Sequence, residues 1–292
     1  MPELPEVATI SAQLNFFTPV KIIKILTGIH FPKFIKAWEF SLDEIIGEEI
    51  LHFTRLGKNI CLTLEKEKRI IVNLGMSGSW RVSKMTNLET KGAQNLSSPE
   101  IIKHTHLRII TELKNLGSEE NIIFDYIDPR RFGKFYFFTL NSFNQFKETK
   151  GRDLIGDPLS TQELKNIFQK HPNLSIKQLL LEQKYFPGIG NYLASEICAH
   201  SKILPQRPSH QFTDKKNLYA IINAIKLTLT SAIKSQGTTF QGAYMDTNGN
   251  KGEGVKNLIV FYQKVCGGCK VTATQKIYLG GRGTYYCPLC QK

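Results

Sequence analysis

The chain has 292 residues, 41% of them hydrophobic, and a formal net charge of +13. This length supports two domains, or one large domain with a small appendage, and the apolar content supports real cores. No apolar run approaches the ~20 residues of a membrane span, which argues against a membrane-spanning helix. The charge is uneven, with a net +10 on residues 151–292 and +3 on residues 1–150. A basic half of this kind points to a polyanion, nucleic acid or an acidic membrane surface, unless it serves solubility alone. Acidic and prolyl residues occupy the start, where a signal peptide has a basic and then an apolar stretch, so a cytosolic location is expected. In that compartment paired cysteines favour metal over disulfide.

Residues 5–15 set Val7, Ile10 and Leu14 at helical spacing, with Pro5 in the first turn, and predict a leading helix. Runs rich in β-branched and aromatic residues follow at 20–26, 48–54, 58–64, 69–74, 106–111, 121–127 and 133–139. Several alternate apolar with polar, as in Lys134-Phe135-Tyr136-Phe137, and predict a mainly antiparallel β-sandwich or barrel of about 140 residues. The polar stretch 83–100 reads as a mobile surface loop. After Asn141 the period changes. Ser160-Thr161-Gln162-Glu163 has the form of a capping box and opens a helix to about His171. A second helix starts near Ser175, and Gly188-Ile189-Gly190-Asn191 turns the chain into a third ending near Ser201. Residues 214–235 form a long amphipathic helix with Ile221, Ile225, Leu229 and Ile233 on one face, stopped by Gly237. The Gly-, Asn- and Thr-rich stretch 237–256 reads as a flexible loop. Cys61 and Cys198 lie in apolar surroundings and read as core filler.

The last segment, 257–292, is a cysteine module. Cys266-x-x-Cys269 and Cys287-x-x-Cys290 are two knuckles seventeen residues apart, which suits a tetrahedral zinc ion. Four protein ligands leave no open position, so the ion is structural rather than catalytic. Strands at 271–279 and 284–287 would make the module a β-hairpin with Arg282 at its tip, a solvated residue or a grip for a phosphate. At Gly188–Asn191 the glycines permit close backbone approach, and the following helix would offer free N–H groups to a phosphate, although such turns are often only structural. Met76, in Gly75-Met76-Ser77-Gly78, and Phe132, in Asp128-Pro129-Arg130-Arg131-Phe132-Gly133, are large apolar residues on turns. Each is a core residue or a wedge. Lys58 opens a strand after Arg55-Leu56-Gly57 and, by itself, reads as a surface lysine.

Taken together, these segments resemble the formamidopyrimidine-DNA glycosylase family, the helix-two-turn-helix glycosylases. The resemblance runs from end to end through MPELPEV (1–7), RLGK (55–58), LGMSGS (74–79), KHTH (103–106), DPRRFG (128–133), PGIGNYLASE (187–196), GTT (237–239) and GRGTYYCPLCQ (281–291). It implies an α+β chain in three parts. These are a catalytic β-sandwich with a leading helix (1–140), a helix-two-turn-helix DNA-binding domain carrying a lesion-capping loop at 237–256 (141–256), and a zinc finger (257–292). It also implies a monomer acting on damaged double-stranded DNA, with one structural zinc ion.

The resemblance implies a reaction as well. Pro2, exposed by removal of Met1, attacks C1′ of the damaged nucleotide, with Glu3 as acid/base on the sugar. Lys58 and Arg282 supply a later proton and a phosphate contact. His104, Arg130 and Asn191 contact DNA, and Met76, Arg130 and Phe132 fill the gap left by an everted nucleotide. An α-amino group, with a pKa of about 8 against about 10.4 for lysine, is free base more than 100-fold more often at pH 7. LGMSGS and DPRRFG are nearer the branch acting on oxidised purines. After GTT, however, Phe240-Gln241-Gly242-Ala243-Tyr244 stands where relatives acting on oxidised guanine often carry a basic–acidic pair. The DNA-contacting lysine of the family has Lys170 or Lys177 as its candidate here, and Glu6 either shares in the N-terminal motif or caps the first helix.

Overall fold

The computed structural model describes residues 2–86, 101–113, 120–240 and 244–292. The chain divides into two compact units. One comprises residues 1–2, 6–148 and 238–252; the other comprises 3–5, 149–237 and 253–292. This division falls after Glu148, whereas the change of sequence period comes after Asn141. It also assigns 238–252 to the first unit.

The first unit begins with α1 (Leu4–Asn15), whose Val7, Ile10 and Leu14 are buried in the core as their spacing requires. The strands are β1 (Val20–Thr27), β2 (Ile35–Trp38), β3 (Glu49–Leu56), β4 (Asn59–Leu64), β5 (Lys68–Asn73), β6 (Ser79–Thr86), β7 (Thr105–Leu113), β8 (Glu120–Ile127) and β9 (Lys134–Thr139). They hydrogen-bond in the order β2-β9-β5-β4-β3-β1-β7-β8-β6. Among the described residues, only the β2–β9 pair is parallel. The link between β3 and β1 is short, with Val20 opposite Ile50 and Lys21 opposite Glu49. The sheet therefore works as two layers, and aromatic contacts join strands that are not ladder neighbours. Phe53 of β3 meets Phe124 of β8 at 5.3 Å, and Tyr126 of β8 meets Phe135 of β9 edge-on at 4.9 Å. Such aromatic pairs add to the burial that holds a sandwich together.

Four departures from the sequence reading lie here. Strand β6 covers residues 79–86, so 83–86 are strand and not loop; residues 87–100 of the predicted loop lie outside the described residues. Strand β2 was not foreseen, nor was α2 (Leu140–Glu148), which follows β9 and whose Phe146 stacks with Tyr136 and Phe138. Strand β4 begins at Asn59, one residue later than expected.

The second unit contains α3 (Thr161–Lys170), α4 (Ile176–Leu180), α5 (Asn191–His200) and α6 (Lys215–Lys234). The capping box at Ser160 and Glu163 forms as predicted, with the Ser160 side chain accepting the Glu163 N–H and the Glu163 side chain accepting the Ser160 N–H. Helix α6 buries Ile221, Ile225 and Leu229. The chain then enters the hairpin β10 (Gln275–Leu279) and β11 (Arg282–Tyr286). Cys61 and Cys198 are buried, and burial pushes their thiols up to about 11 and about 12, as suits inert core sulfur. Among the described residues, no helix is long and apolar enough to cross a membrane.

Candidate active site and nucleic-acid interface

In the first unit, Pro2 lies two residues before the start of α1. Lys58 lies in the two-residue turn Gly57-Lys58 between β3 and β4, where the positive φ of Gly57 (60°) suits a tight hairpin. It thus projects from a turn rather than opening a strand. The turn is braced by Arg55 donating to the Gly57 carbonyl at 3.1 Å and by Asn59 donating to the Leu56 carbonyl at 3.0 Å.

Met76 and Phe132 are not core residues: they are 41% and 49% exposed on two neighbouring turns. The Arg130 guanidinium lies over the Phe132 ring at 4.9 Å, a cation–π contact that pre-orders both side chains. What holds the two turns together is Asp128, fully buried between them. Its carboxylate accepts the Ser77 hydroxyl and, at 2.8 Å, the Gly133 N–H. Ser77 Oγ in turn accepts the Arg130 N–H at 3.2 Å. The Asp128 N–H donates to the His104 carbonyl at 3.1 Å, and its own carbonyl lies 3.0 Å from His106 Nε2. His104 is exposed in a left-handed conformation (φ 69°). A Cβ on Gly75 would lie 2.6 Å from the Phe132 backbone, so glycine is what lets the turns approach. Sequence reasoning quoted Asp128 only as part of a motif. A buried acid between turns of exposed arginines was the available signal.

In the second unit, Glu3 is 4% exposed and caps α5. Its carboxylate accepts the N–H groups of Gly190 at 2.8 Å, Tyr192 at 3.1 Å and Leu193 at 3.3 Å. Charge at a helix N-terminus is favourable there. This corrects the expectation that these amides stand free for a phosphate, since they hold Glu3 instead. A Cβ on Gly190 would sit 2.3 Å from the Glu3 carboxyl carbon, which explains the glycine.

Asn191 is half-buried and faces the hairpin: its Nδ2 donates to the Gly283 carbonyl at 2.9 Å. Lys177, fully buried, donates to Asn191 Oδ1 and to the Thr284 hydroxyl, both at 2.7 Å. Burial lowers its ammonium to about 8. Of the two candidate DNA lysines, Lys170 is therefore exposed and Lys177 is internal. Arg282 is exposed and opens β11, paired with Leu279; the tip itself is Gly280-Gly281, both at positive φ. That corrects its predicted place by one residue; β10 is shorter than the 271–279 foreseen, whereas β11 starts two residues before and ends one residue before the 284–287 foreseen.

The sulfurs of Cys266, Cys269, Cys287 and Cys290 all lie within 4.8 Å of one another. Cys266–Cys290 and Cys269–Cys287 are 4.0 Å and 3.9 Å apart, against ~3.8 Å for the edge of a tetrahedron with 2.3 Å metal–sulfur bonds. The four residues can hold a metal ion, and the Gly268 N–H donates to Cys266 Sγ at 3.4 Å. The module is fastened through Gln291, which accepts the Cys287 N–H and donates to the Ile203 carbonyl, both at 2.7 Å. Glu196 adds a second tie, its carboxylate accepting three consecutive N–H groups, Ile259 to Phe261, at 2.6–3.0 Å. In the stretch 237–256, expected to be flexible, Thr238, Thr239, Asn250 and Gly252 take part in hydrogen bonds; residues 241–243 lie outside the described residues.

Both units have counterparts among known proteins. Residues 1–135 match the profile of the formamidopyrimidine-DNA glycosylase N-terminal domain, and residues 151–243 match that of its H2TH domain. A formamidopyrimidine-DNA glycosylase of Ureaplasma parvum is 33% identical, each chain covered in full. The Lactococcus lactis Fpg in complex with DNA containing an abasic site has a TM-score of 0.81 at 26% identity, with 99% of each chain covered. MutM in complex with DNA containing carbocyclic 8-oxo-G has the same TM-score and identity, with both chains covered in full. Two family models that together match residues 1–135 and 151–243, with a relative 33% identical over the full length, show that the chain belongs to the formamidopyrimidine-DNA glycosylase family.

Proposed function

We propose that this chain is a base-excision repair enzyme, a bifunctional DNA glycosylase and AP lyase that removes oxidised purines such as 8-oxoguanine and formamidopyrimidines. The observation that carries the reading is full-length family membership with the Pro2-Glu3 start intact. The Pro2 nitrogen forms a bond to C1′ as the C1′–N bond to the damaged base breaks, and the base leaves with a proton. The sugar ring opens to a cationic iminium, the electron sink for the two eliminations that cut the strand on both sides. Glu3 shuttles protons at the sugar, Lys58 supplies a later proton, and Arg282 grips a phosphate.

Met76, Arg130 and Phe132 enter the duplex, Arg130 facing the orphaned base, while His104 and Asn191 bind the backbone. Extrusion costs a few kcal/mol, which such wedges offset. Segments 237–240 and 244–256 position the stretch that covers the everted base. By this division residues 1–140 are the catalytic domain, 141–256 the DNA-binding domain and 257–292 the finger. One zinc ion held by the four cysteines would cross-link the finger, with no part in the chemistry. A monomer in the bacterial cytoplasm, bound to the nucleoid, belongs to the same reading.

Borohydride reduction during reaction with an 8-oxoguanine duplex tests it. The expected result is a covalent adduct on Pro2, lost in Pro2→Gly and when Met1 is retained. No adduct with any damaged duplex would leave a silent DNA-binding protein. Excision of oxidised pyrimidines in preference to purines would replace the lesion class and keep the chemistry.

A further inference from the structure

The second arm of the 237–256 stretch is fastened to the first unit by a side chain of α1. The Gln13 carbonyl accepts the Thr247 N–H at 3.0 Å and the Thr247 hydroxyl at 2.9 Å, and its NH2 donates to Asp246 at 2.9 Å. Asp246, 2% exposed, takes the N–H groups of Asn248 at 3.0 Å and Asn250 at 2.7 Å on its other oxygen. Arg81 donates to the Asp246 carbonyl at 2.6 Å, and the Val82 N–H donates to the Thr247 carbonyl at 3.2 Å. The arm is thereby laid along β6, the edge of the sheet. On the first arm Glu6 accepts the Thr238 N–H at 2.7 Å, which ties this stretch to α1. The Thr239 hydroxyl joins the two arms, accepting the Gly252 N–H at 2.8 Å and donating to the Tyr244 carbonyl at 2.9 Å. The Tyr244 side chain is buried in the sandwich core.

We infer that Gln13 is a positioning residue for base release. It holds the arm at 244–250 in register with the helix that follows Pro2 and so fixes the stretch that covers the everted base relative to the nucleophile; this rests on the function proposed above. Helix α1 is a rod of roughly 1.5 Å per residue. One element therefore sets both the nucleophile and the covering arm. Covering matters only while a base is attached. An abasic sugar presents nothing to cover, so Gln13 acts on excision and not on strand cleavage at a preformed abasic site.

The test compares single-turnover excision of 8-oxoguanine with cleavage of an abasic duplex for the full chain and three variants. Gln13→Leu removes the latch and leaves the buried Thr247 N–H without its acceptor. The expected result is excision about tenfold slower, with abasic cleavage within about twofold of the parent. Gln13→Glu sets two carboxylates against each other and should behave likewise. Gln13→Glu combined with Asp246→Asn reverses donor and acceptor across the same 2.9 Å contact, and should restore excision to within about threefold. Excision unchanged in Gln13→Leu, a parallel fall in both activities, or no rescue by the reversed pair would each overturn the inference. Absence of both activities in the parent chain would overturn the base-excision reading itself, and the latch's role with it.

Discussion

Asp128 offers the sharpest separation between what holds the two turns proposed to enter DNA and what those turns do. Replacing it with alanine removes the acceptor of the Gly133 N–H and of the Ser77 hydroxyl, and frees Ser77 from its place under the Arg130 N–H. Hydrogen bonds to a charged acceptor contribute about 1.5–3 kcal/mol each, and the carboxylate accepts two short ones, from Ser77 and Gly133, and a long, weak third from the Tyr126 hydroxyl at 3.4 Å. Asp128→Ala is therefore expected to destabilise the first unit by roughly 3–5 kcal/mol, or about 6–20 °C in its melting temperature for a unit of this size. Asp128→Asn keeps an oxygen for Gly133 and turns its NH2 toward Ser77 Oγ, whose hydroxyl then lacks an acceptor; about 1–2 kcal/mol is expected. Met76→Ala and Phe132→Ala remove half-exposed side chains that no buried donor needs, and should cost less than about 1 kcal/mol. Thermal unfolding and the fluorescence of 2-aminopurine opposite the lesion are measured on the four variants. The Asp128 variants should lose stability and unstacking together, in the order Ala then Asn. The wedge variants should lose unstacking alone. An Asp128→Ala protein that melts within about 1 °C of the parent and unstacks the duplex normally would refute this account of the turns.

The other expectations are more direct. Lys177 has a folded pKa of about 8, below the ~10.4 of an unfolded lysine, so the unfolded chain binds more protons between those values and stability rises with pH across that window by up to about 3 kcal/mol. The rise should be absent from denaturant titrations of Lys177→Met, and equal slopes in the two proteins would contradict it. The same variant frees Asn191 Oδ1 and Thr284 from their shared donor, and should weaken DNA affinity about tenfold. Chelation, or Cys287→Ser, should abolish duplex binding while the melting transition of the first unit survives, because all four ligands lie in the second. Duplex affinity should fall with salt at a log–log slope of roughly −0.9 per phosphate contact, and Arg282→Ala should lower that slope by about one.

Much of the fold was readable because local pattern and tertiary role agree. The α1 face, the alternating strands and the Ser160 capping box are each specified within a few residues of themselves. Strand β6 escaped because it is an edge. Trp80 and Val82 mark its inward face, but Ser83, Lys84 and Thr86 give it the polarity of a loop, and its outer neighbour, Thr247, is 165 residues from Val82. The same distance problem hid the site's supports. Glu3 caps a helix 187 residues away, Glu6 holds Thr238 across 232, and Gln13 holds Thr247 across 234. A side chain whose partner lies that far off leaves no periodic trace in its own neighbourhood, so spacing reveals the groups that react and not those that hold them. The error at Gly190 follows from this. A glycine-led helix start with free amides invites a phosphate by local chemistry, yet the anion that answers is a carboxylate from the third residue of the chain. On the proposed function Glu3 has two duties, a proton at the sugar and the cap of α5 that the structure shows. A Glu3→Gln protein should lose turnover while its neutral oxygen still accepts one or two of the three amides. A Glu3→Ala protein should lose turnover and about 1–2 kcal/mol of stability as well, the difference between the two being the measure of the cap.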